Sequence, residues 1–379
     1  MGPLNGLRVI ELAGVGPCPM AGMLLADMGA EVVCIARTAE RPPELATDVS
    51  LRGKKSLILD LKEPEGAAAL LRLTDKSDVL IEGYRPGVAE RLGVGPEVCL
   101  SRNPALVYGR MTGWGQSGPL AAAAGHDINY IALSGVLHAI GRPGEPPVIP
   151  VNLIGDMGGG GMLLAYGVVC AVLEARQSGK GQVVDASMVE GSAQLLWLLP
   201  GLMAAGLWNA SERGVNLLDG GAHFYNTYET ADGKYVAIGS IEPQFYARLL
   251  ECTGVDAARF ADQNDRQRWP ELKKELAQVF KTKTRDEWCR LMEGTDVCFA
   301  PVLSFPEAPA HPHNRAREAF VTVDGVVQPA PAPRFSRTVP EVRHGGRPNG
   351  ADSTAVLSSY GFSTEEIATL RQRGTLHGI

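Results

Sequence analysis

No Cys-x-x-Cys pair and no tight grouping of cysteine with histidine occurs in the 379 residues. The seven cysteines (Cys18, Cys34, Cys99, Cys170, Cys252, Cys289, Cys298) are odd in number and scattered, which argues against a disulfide framework and against structural zinc. A reducing, cytosol-like compartment fits this usage. Positive charge is in deficit: the formal net charge is -6 and the pI about 5.7, so the field of the whole molecule repels nucleic acid and anionic membrane. An anionic ligand must therefore be met by a local basic cluster. The amino-terminal run Met1-Gly-Pro-Leu-Asn-Gly-Leu7 has no basic-plus-apolar leader, and the final residues carry no Ser-Lys-Leu type address, so a cytoplasmic location is expected. Two uncharged apolar stretches, 157–173 and 191–208, are close to the lower length limit of a bilayer span. The first begins at a run of four glycines and the second contains Gln194 and Pro200, so both are expected as helices buried in a core or a subunit interface rather than as membrane spans.

What is present is an ordinary globular composition, 45% hydrophobic and 21% charged, at a length that accommodates two or three domains. Residues 7–11 predict a strand, 20–28 a helix ended by Gly29, and 31–35 a second strand. Strands over 57–61, 79–82 and 106–111, with a helix over 66–74, extend this βαβ unit into an α/β, Rossmann-like domain over 1–210, with a mostly parallel sheet and ligands at its carboxyl edge. A further strand over 182–189 carries Asp185 as a candidate cap for the next helix. The Gly-, Asn- and Asp-rich segment 211–226 reads as a linker. A smaller α+β domain over 227–310 follows, with an Asp232-Gly233 hairpin signal and a helix over 243–253 opened by Glu242-Pro243. Its other expected elements are helices over 269–280 and 285–294 and a strand from Thr295. A stiff, proline-rich linker is expected over 311–334, then a return to the first domain over 335–379, where Ser363 and Glu366 have capping-box spacing.

The turn Gly14-Val15-Gly16-Pro17-Cys18-Pro19 lacks the third glycine of a dinucleotide fingerprint, and the second strand leads into Arg37 where an acidic residue would hold a ribose. Arginine there suits a phosphorylated adenosine, by phosphate pairing or by stacking. Arg52, Lys54, Lys55, Arg85 and Arg91 recur at later strand ends and turns as a candidate anion site, with solvated surface charge as the competing explanation. The chemistry is placed in 125–161. His126 and Asp156 each adjoin glycine ahead of an apolar helical pattern, so both can head helices in a shared cleft and exchange a proton with one atom from two directions. Taken singly, His126 could be a buried core histidine and Asp156 a helix cap.

Several runs carry a more specific signal: Leu7-Arg-Val-Ile-Glu-Leu-Ala-Gly14, Lys54-Lys-Ser-Leu-Ile-Leu-Asp-Leu-Lys62, Gly83-Tyr-Arg-Pro-Gly-Val88, Met111-Thr-Gly-Trp-Gly-Gln-Ser-Gly-Pro119, Gly125-His-Asp-Ile-Asn-Tyr130, Gly181-Gln-Val-Val-Asp-Ala186 and Ile241-Glu-Pro-Gln-Phe-Tyr246. Through them the chain resembles, over essentially its whole length, the family III CoA-transferase (CaiB/BaiF-like) superfamily, and within it the branch that racemises 2-methylacyl-CoA thioesters. The resemblance implies an interlocked homodimer in which each large domain faces the small domain of the other chain. It implies an acyl-CoA substrate, held at Arg37, Arg52, Lys54, Lys55, Gly83, Tyr84, Arg85, Arg91, Gly125 and Tyr130, with no cofactor beyond the coenzyme A of the substrate. His126 and Asp156 would be the acid/base pair, Glu242 of the other subunit would orient the His126 imidazole, and backbone N–H groups at Asp127 would receive an enolate oxygen. Asn152 and Tyr130 would add supporting hydrogen bonds. His223 departs from the proline that related sequences commonly show there.

Two rival functions remain at this stage. A true CoA-transferase would use Asp156 as a nucleophile through a mixed anhydride; the transferases generally lack a histidine at the place of His126. A non-catalytic acyl-CoA binding protein would not need His126, Asp156 and Glu242 together. His138, His311, His313, His344 and His377 are given no role.

Overall fold

The computed structural model describes residues 2–37 and 47–376; His377 lies outside them. Among the described residues the chain forms two compact units, the first made of 1–134, 151–195 and 318–379, the second of 135–150 and 196–317.

In the first unit β1 (Arg8–Leu12), β2 (Glu31–Ala36), β3 (Lys55–Ile58), β4 (Val79–Glu82), β5 (Val107–Thr112) and β6 (Val183–Ser187) make one sheet in the order β3-β2-β1-β4-β5-β6, parallel throughout. β4 and β5 are buried at every position, which is why they read as apolar runs without alternation. Successive side chains serve opposite faces. Ile10, Leu12, Val33 and Ile35 pack with Leu70, Leu73, Val356 and Leu357 on one side, and Val9, Val32, Ile81 and Val107 pack with Leu25, Leu164 and Val168 on the other. The helices Ser353–Ser359 and Thr364–Gln372 thus complete the first core, and Ser363 with Glu366 forms the capping box. The first helix starts at Pro17 rather than Met20, because proline at the first helical position gives up only an N–H that would be unpaired anyway.

Three expectations are corrected. The segment 311–334 is not an extended linker: it contains the helix Pro312–Ala316 and an antiparallel hairpin of β10 (Phe320–Val323) and β11 (Val326–Pro329). Asp324-Gly325, both at positive φ (49° and 80°), closes that hairpin as a two-residue turn, and this local signal overrides the proline-rich composition around it. The segment 211–226 is packed, with Asn216, His223 and Phe224 fully buried, because the Asp219 carboxylate accepts from the backbone N–H groups of Gly214, Asn216 and Gly221. Asp185 does not cap a helix; it accepts from the Gln116 N–H at 3.1 Å. The unit boundaries accordingly fall at 134/135, 150/151, 195/196 and 317/318 instead of at the expected linkers.

Residues 153–178 form one continuous helix, a π-helical segment Leu153–Met162 running into the α-helix Leu163–Ser178. By length and composition it could cross a bilayer (mean hydropathy 1.5). Its glycines, however, are wedged against protein: a Cβ on Gly159 would lie 2.5 Å from Ser192 N, and one on Gly160 would lie 2.8 Å from Pro17 Cβ. Leu153, Met162, Tyr166 and Leu173 are exposed along it.

In the second unit β7 (Tyr225–Glu229), β8 (Tyr235–Gly239) and β9 (Phe299–Val302) form an antiparallel sheet, with the expected Asp232-Gly233 hairpin between the first two. The helices Pro243–Thr253, Trp269–Phe280 and Arg285–Met292 pack over it on Phe224, Tyr228, Phe260, Trp269 and Trp288. His223 is fully buried in this core, its Nε2 2.7 Å from the Tyr246 hydroxyl, which itself donates to Phe260 O. Burial, helped by Lys273 and Arg268, pulls the imidazole down to about 4. An unfolded histidine titrates near 6.5, so the unfolded chain binds the extra proton between those values and stability falls as pH drops from about 6.5 to 4, by up to about 3 kcal/mol. Denaturant unfolding of His223→Leu beside the parent, at pH 7.5 and pH 4.5, should show the parent losing more of its stability at acid pH; equal losses would place the acid sensitivity elsewhere.

Candidate active site

The carboxyl ends of β1, β4, β5 and β6 open into a cleft of about 340 Å³ in the first unit. The loops after β1 and β4 leave in opposite directions there, because strand order reverses between these two neighbours, and such a switch point is where open parallel sheets bind ligands.

His126 is the residue immediately before the helix Asp127–Leu133; its extended backbone (φ −133°, ψ 174°) starts the helix, and its N–H donates to Asn129 Oδ1 at 3.0 Å. The imidazole is exposed at the cleft. Asp156 lines the same cleft from the π-helical segment. It is the fourth residue of that segment, so it is not the helix cap that its sequence position allows. Its Oδ2 accepts from Asn152 Nδ2 at 3.1 Å and its backbone N–H donates to Asp127 Oδ2 at 2.8 Å. Half-burial raises the pKa of its carboxyl; the Asn152 hydrogen bond opposes this, the Asp127 charge reinforces it, and His126 opposes it.

Tyr130 forms the back wall, edge-on to Trp114 with ring centroids 4.7 Å apart. Two glycines make room for it: a Cβ on Gly113 would lie 2.1 Å from the Tyr130 ring, and one on Gly125 would lie 2.7 Å from it. Burial and the Asp156 charge both raise the phenol pKa.

Of the residues chosen from sequence, the cleft brings together His126, Asp156, Gly83, Tyr84, Arg85, Gly125 and Tyr130. Asn152 and Asp127 stand behind Asp156 and touch it through the bonds above. Arg52 and Lys54 are corrected. Arg52 is 3% exposed, held by Asp27 at 2.6 Å and by Gln328 Oε1 and Pro329 O at 2.8 Å, and Lys54 is 2% exposed, held by Glu11 at 2.6 Å and by Pro19 O at 2.8 Å. With their donors spent on buried partners, neither presents charge to a phosphate. Lys55 pairs with Glu31 at 2.9 Å nearer the surface. Arg37 is exposed just past β2, 4.0 Å from Asp60, and Arg91 is exposed at the end of the short helix Val88–Arg91. Glu242 occupies the position just before the helix Pro243–Thr253 in the second unit, and its side chain makes no capping hydrogen bond there.

Sequence reasoning missed the turn Val15–Cys18, which lines the cleft. Its lack of the third glycine of a dinucleotide fingerprint hides that role. Gly16, at φ 76°, sits so close to the carboxylate that a Cβ there would be 3.7 Å from Asp156 Oδ2. Trp114 and Met188 also line the cleft, and nothing in their local pattern distinguishes them from core residues.

The family model described as CoA-transferase family III matches residues 4–353. A protein named alpha-methylacyl-CoA racemase from Mus musculus is 50% identical over 371 residues, covering 97% of this chain and 96% of its own length. Its namesake from Homo sapiens is 48% identical over 372 residues, with the same two coverages. Among solved structures, Rv3272 from M. tuberculosis superposes with a TM-score of 0.78 at 26% identity, covering 94% of this chain and 99% of that one. A CAIB/BAIF family protein from Brucella suis matches in fold with a TM-score of 0.81 at 24% identity, covering 95% and 99%.

Proposed function

The chain belongs to CoA-transferase family III, and from that premise we propose that it is a racemase that interconverts the (R) and (S) epimers of 2-methylacyl-CoA thioesters. The observation that carries this reading is the meeting of His126 and Asp156 in one cleft at the sheet's switch point. A thioester makes its α-hydrogen weakly acidic. One group removes that proton from one face, the other returns a proton to the opposite face, and the intervening enolate oxygen is received by N–H groups at the head of the Asp127 helix. In the reverse direction the roles exchange, so the pair carries one proton between them in either resting form. The raised pKa of Asp156 brings it closer to the neutral range where histidine titrates.

The reaction is pure proton transfer and calls on no cofactor. Among the described residues, Arg85 at the cleft and the exposed Arg37 and Arg91 are cations that can serve the coenzyme A phosphates. Arg37→Ala should weaken binding of coenzyme A, followed by calorimetry, by about 1–3 kcal/mol, the size of a charge-assisted contact. Unchanged affinity would remove Arg37 from the site.

The protein is further read as an interlocked homodimer, with Glu242 of the partner subunit orienting His126. The exposed apolar residues Leu153, Met162, Tyr166 and Leu173 support a subunit interface, since the glycines of the same helix are already packed against protein rather than open to lipid. Incubation of either pure epimer with the protein, and no second acid, should end in the same mixture. Transfer of coenzyme A onto an added carboxylate, with a hydroxylamine-sensitive adduct on Asp156, would establish the transferase chemistry instead.

A further inference from the structure

Asp127 is 6% exposed, wedged between the two acid/base residues: it follows His126 in the chain and its Oδ2 takes the backbone N–H of Asp156 at 2.8 Å. Its other carboxylate oxygen is buried without a hydrogen-bond partner. An unpaired buried oxygen is costly, and an asparagine or serine could take the same N–H without bringing a charge. The fold also reserves the space. A Cβ on Gly155 would lie 2.5 Å from Asp127 Oδ2, so glycine at 155 is what lets the carboxylate reach the next residue's N–H.

Resting on the racemase reading, we infer that the side chain of Asp127, beyond any part its backbone plays at the enolate, is a positioning residue whose buried charge makes Asp156 easier to protonate and whose hydrogen bond fixes the π-helical turn that aims it. Arg85 lines the same cleft as Asp156, and the charged groups on the neighbouring elements are engaged elsewhere. On the helix Met188–Leu195, Glu190 takes the Ser187 hydroxyl; on the helix Pro17–Asp27, Asp27 is clasped by Arg52. On β5, Arg110 is spanned by Glu82 and Glu90, and on β6 Asp185 takes the Gln116 N–H. Cys18 and Tyr130 share the cleft, and Glu174 and Arg176 lie in the last turns of the helix Leu163–Ser178. The charges felt at Asp156 are those of Asp127, which raises its pKa, and His126, which lowers it.

Asp127→Asn keeps the shape and an acceptor and removes the charge. The acid limb of the kcat/KM profile, which reports proton uptake by the coupled pair, should move to lower pH by about 0.5–1 unit. Gly155→Ala, which pushes the carboxylate away, should move it the same way by less. A purely structural role would lower the rate at every pH and leave the limb in place, and that result overturns the inference. Carboxyl ¹³C NMR titration of Asp156 in the two proteins needs no turnover: a downward shift supports the tuning and an unmoved titration overturns it. If the NMR titration moves and no racemisation occurs in the parent protein, the tuning stands and it is the racemase reading that falls.

Discussion

His126→Ala and Asp156→Asn should each lower racemisation by about 10²–10⁴-fold while leaving coenzyme A affinity nearly unchanged. Each removes one of the two groups that must act on opposite faces of the same carbon, and neither lies among the exposed arginines that would hold the phosphates. The loss should appear in kcat and not in KM, because the missing interaction belongs to the transition state. Half of the exchange should survive in a telling way: a protein with one group left can still remove the α-proton from the epimer that presents it to that group, yet cannot complete the inversion. Full activity in His126→Ala would refute its role.

The second large effect concerns stability. Lys54→Met should destabilise the protein by about 3–5 kcal/mol, because it leaves Glu11 buried without a compensating charge. Glu11 and Lys54 are both nearly inaccessible, 2.6 Å apart, and Gly22 packs against the carboxylate so closely that a Cβ there would lie 1.7 Å from Glu11 Oε2. Burial already pushes the Glu11 carboxyl upward with Lys54 in place. The double change Glu11→Leu with Lys54→Met should recover much of the loss, since no charge then remains inside. Denaturant unfolding of the three proteins measures this; a double variant no better than Lys54→Met would mean that the pair's packing, and not its charge, holds the site. Because Lys54 also donates to Pro19 O, the single variant should loosen the first turn of the helix that lines the cleft.

The sheet was legible because its strands are short, apolar and separated by well-punctuated helices; β4 was placed at Val79–Glu82 to the residue. The helices over 243–253 and 269–280 were equally plain, from proline at the first turn and a sustained apolar face. What composition hid was order without repetition. The 211–226 segment is rich in linker residues, yet one aspartate, Asp219, gathers three N–H groups and packs it. In 311–334 prolines masked the Asp-Gly turn. At the site, His126 and Asp156 were legible as a pair because each adjoins glycine ahead of an apolar run. The basic residues were not, because sequence does not tell a lysine that meets a phosphate from one that meets a buried glutamate: Lys54 and Lys55 are neighbours, one sealed in the core and one at the surface.

The central claim is that two groups in one cleft invert a single carbon through proton transfer. One epimer of a 2-methylacyl-CoA, incubated with the protein in deuterated water and sampled early, tests it most directly by mass and chirality of both epimers. The account predicts that the newly formed epimer carries deuterium at the α-carbon. Epimerisation without deuterium in the new epimer, or bound thioester with no exchange at all, would contradict it.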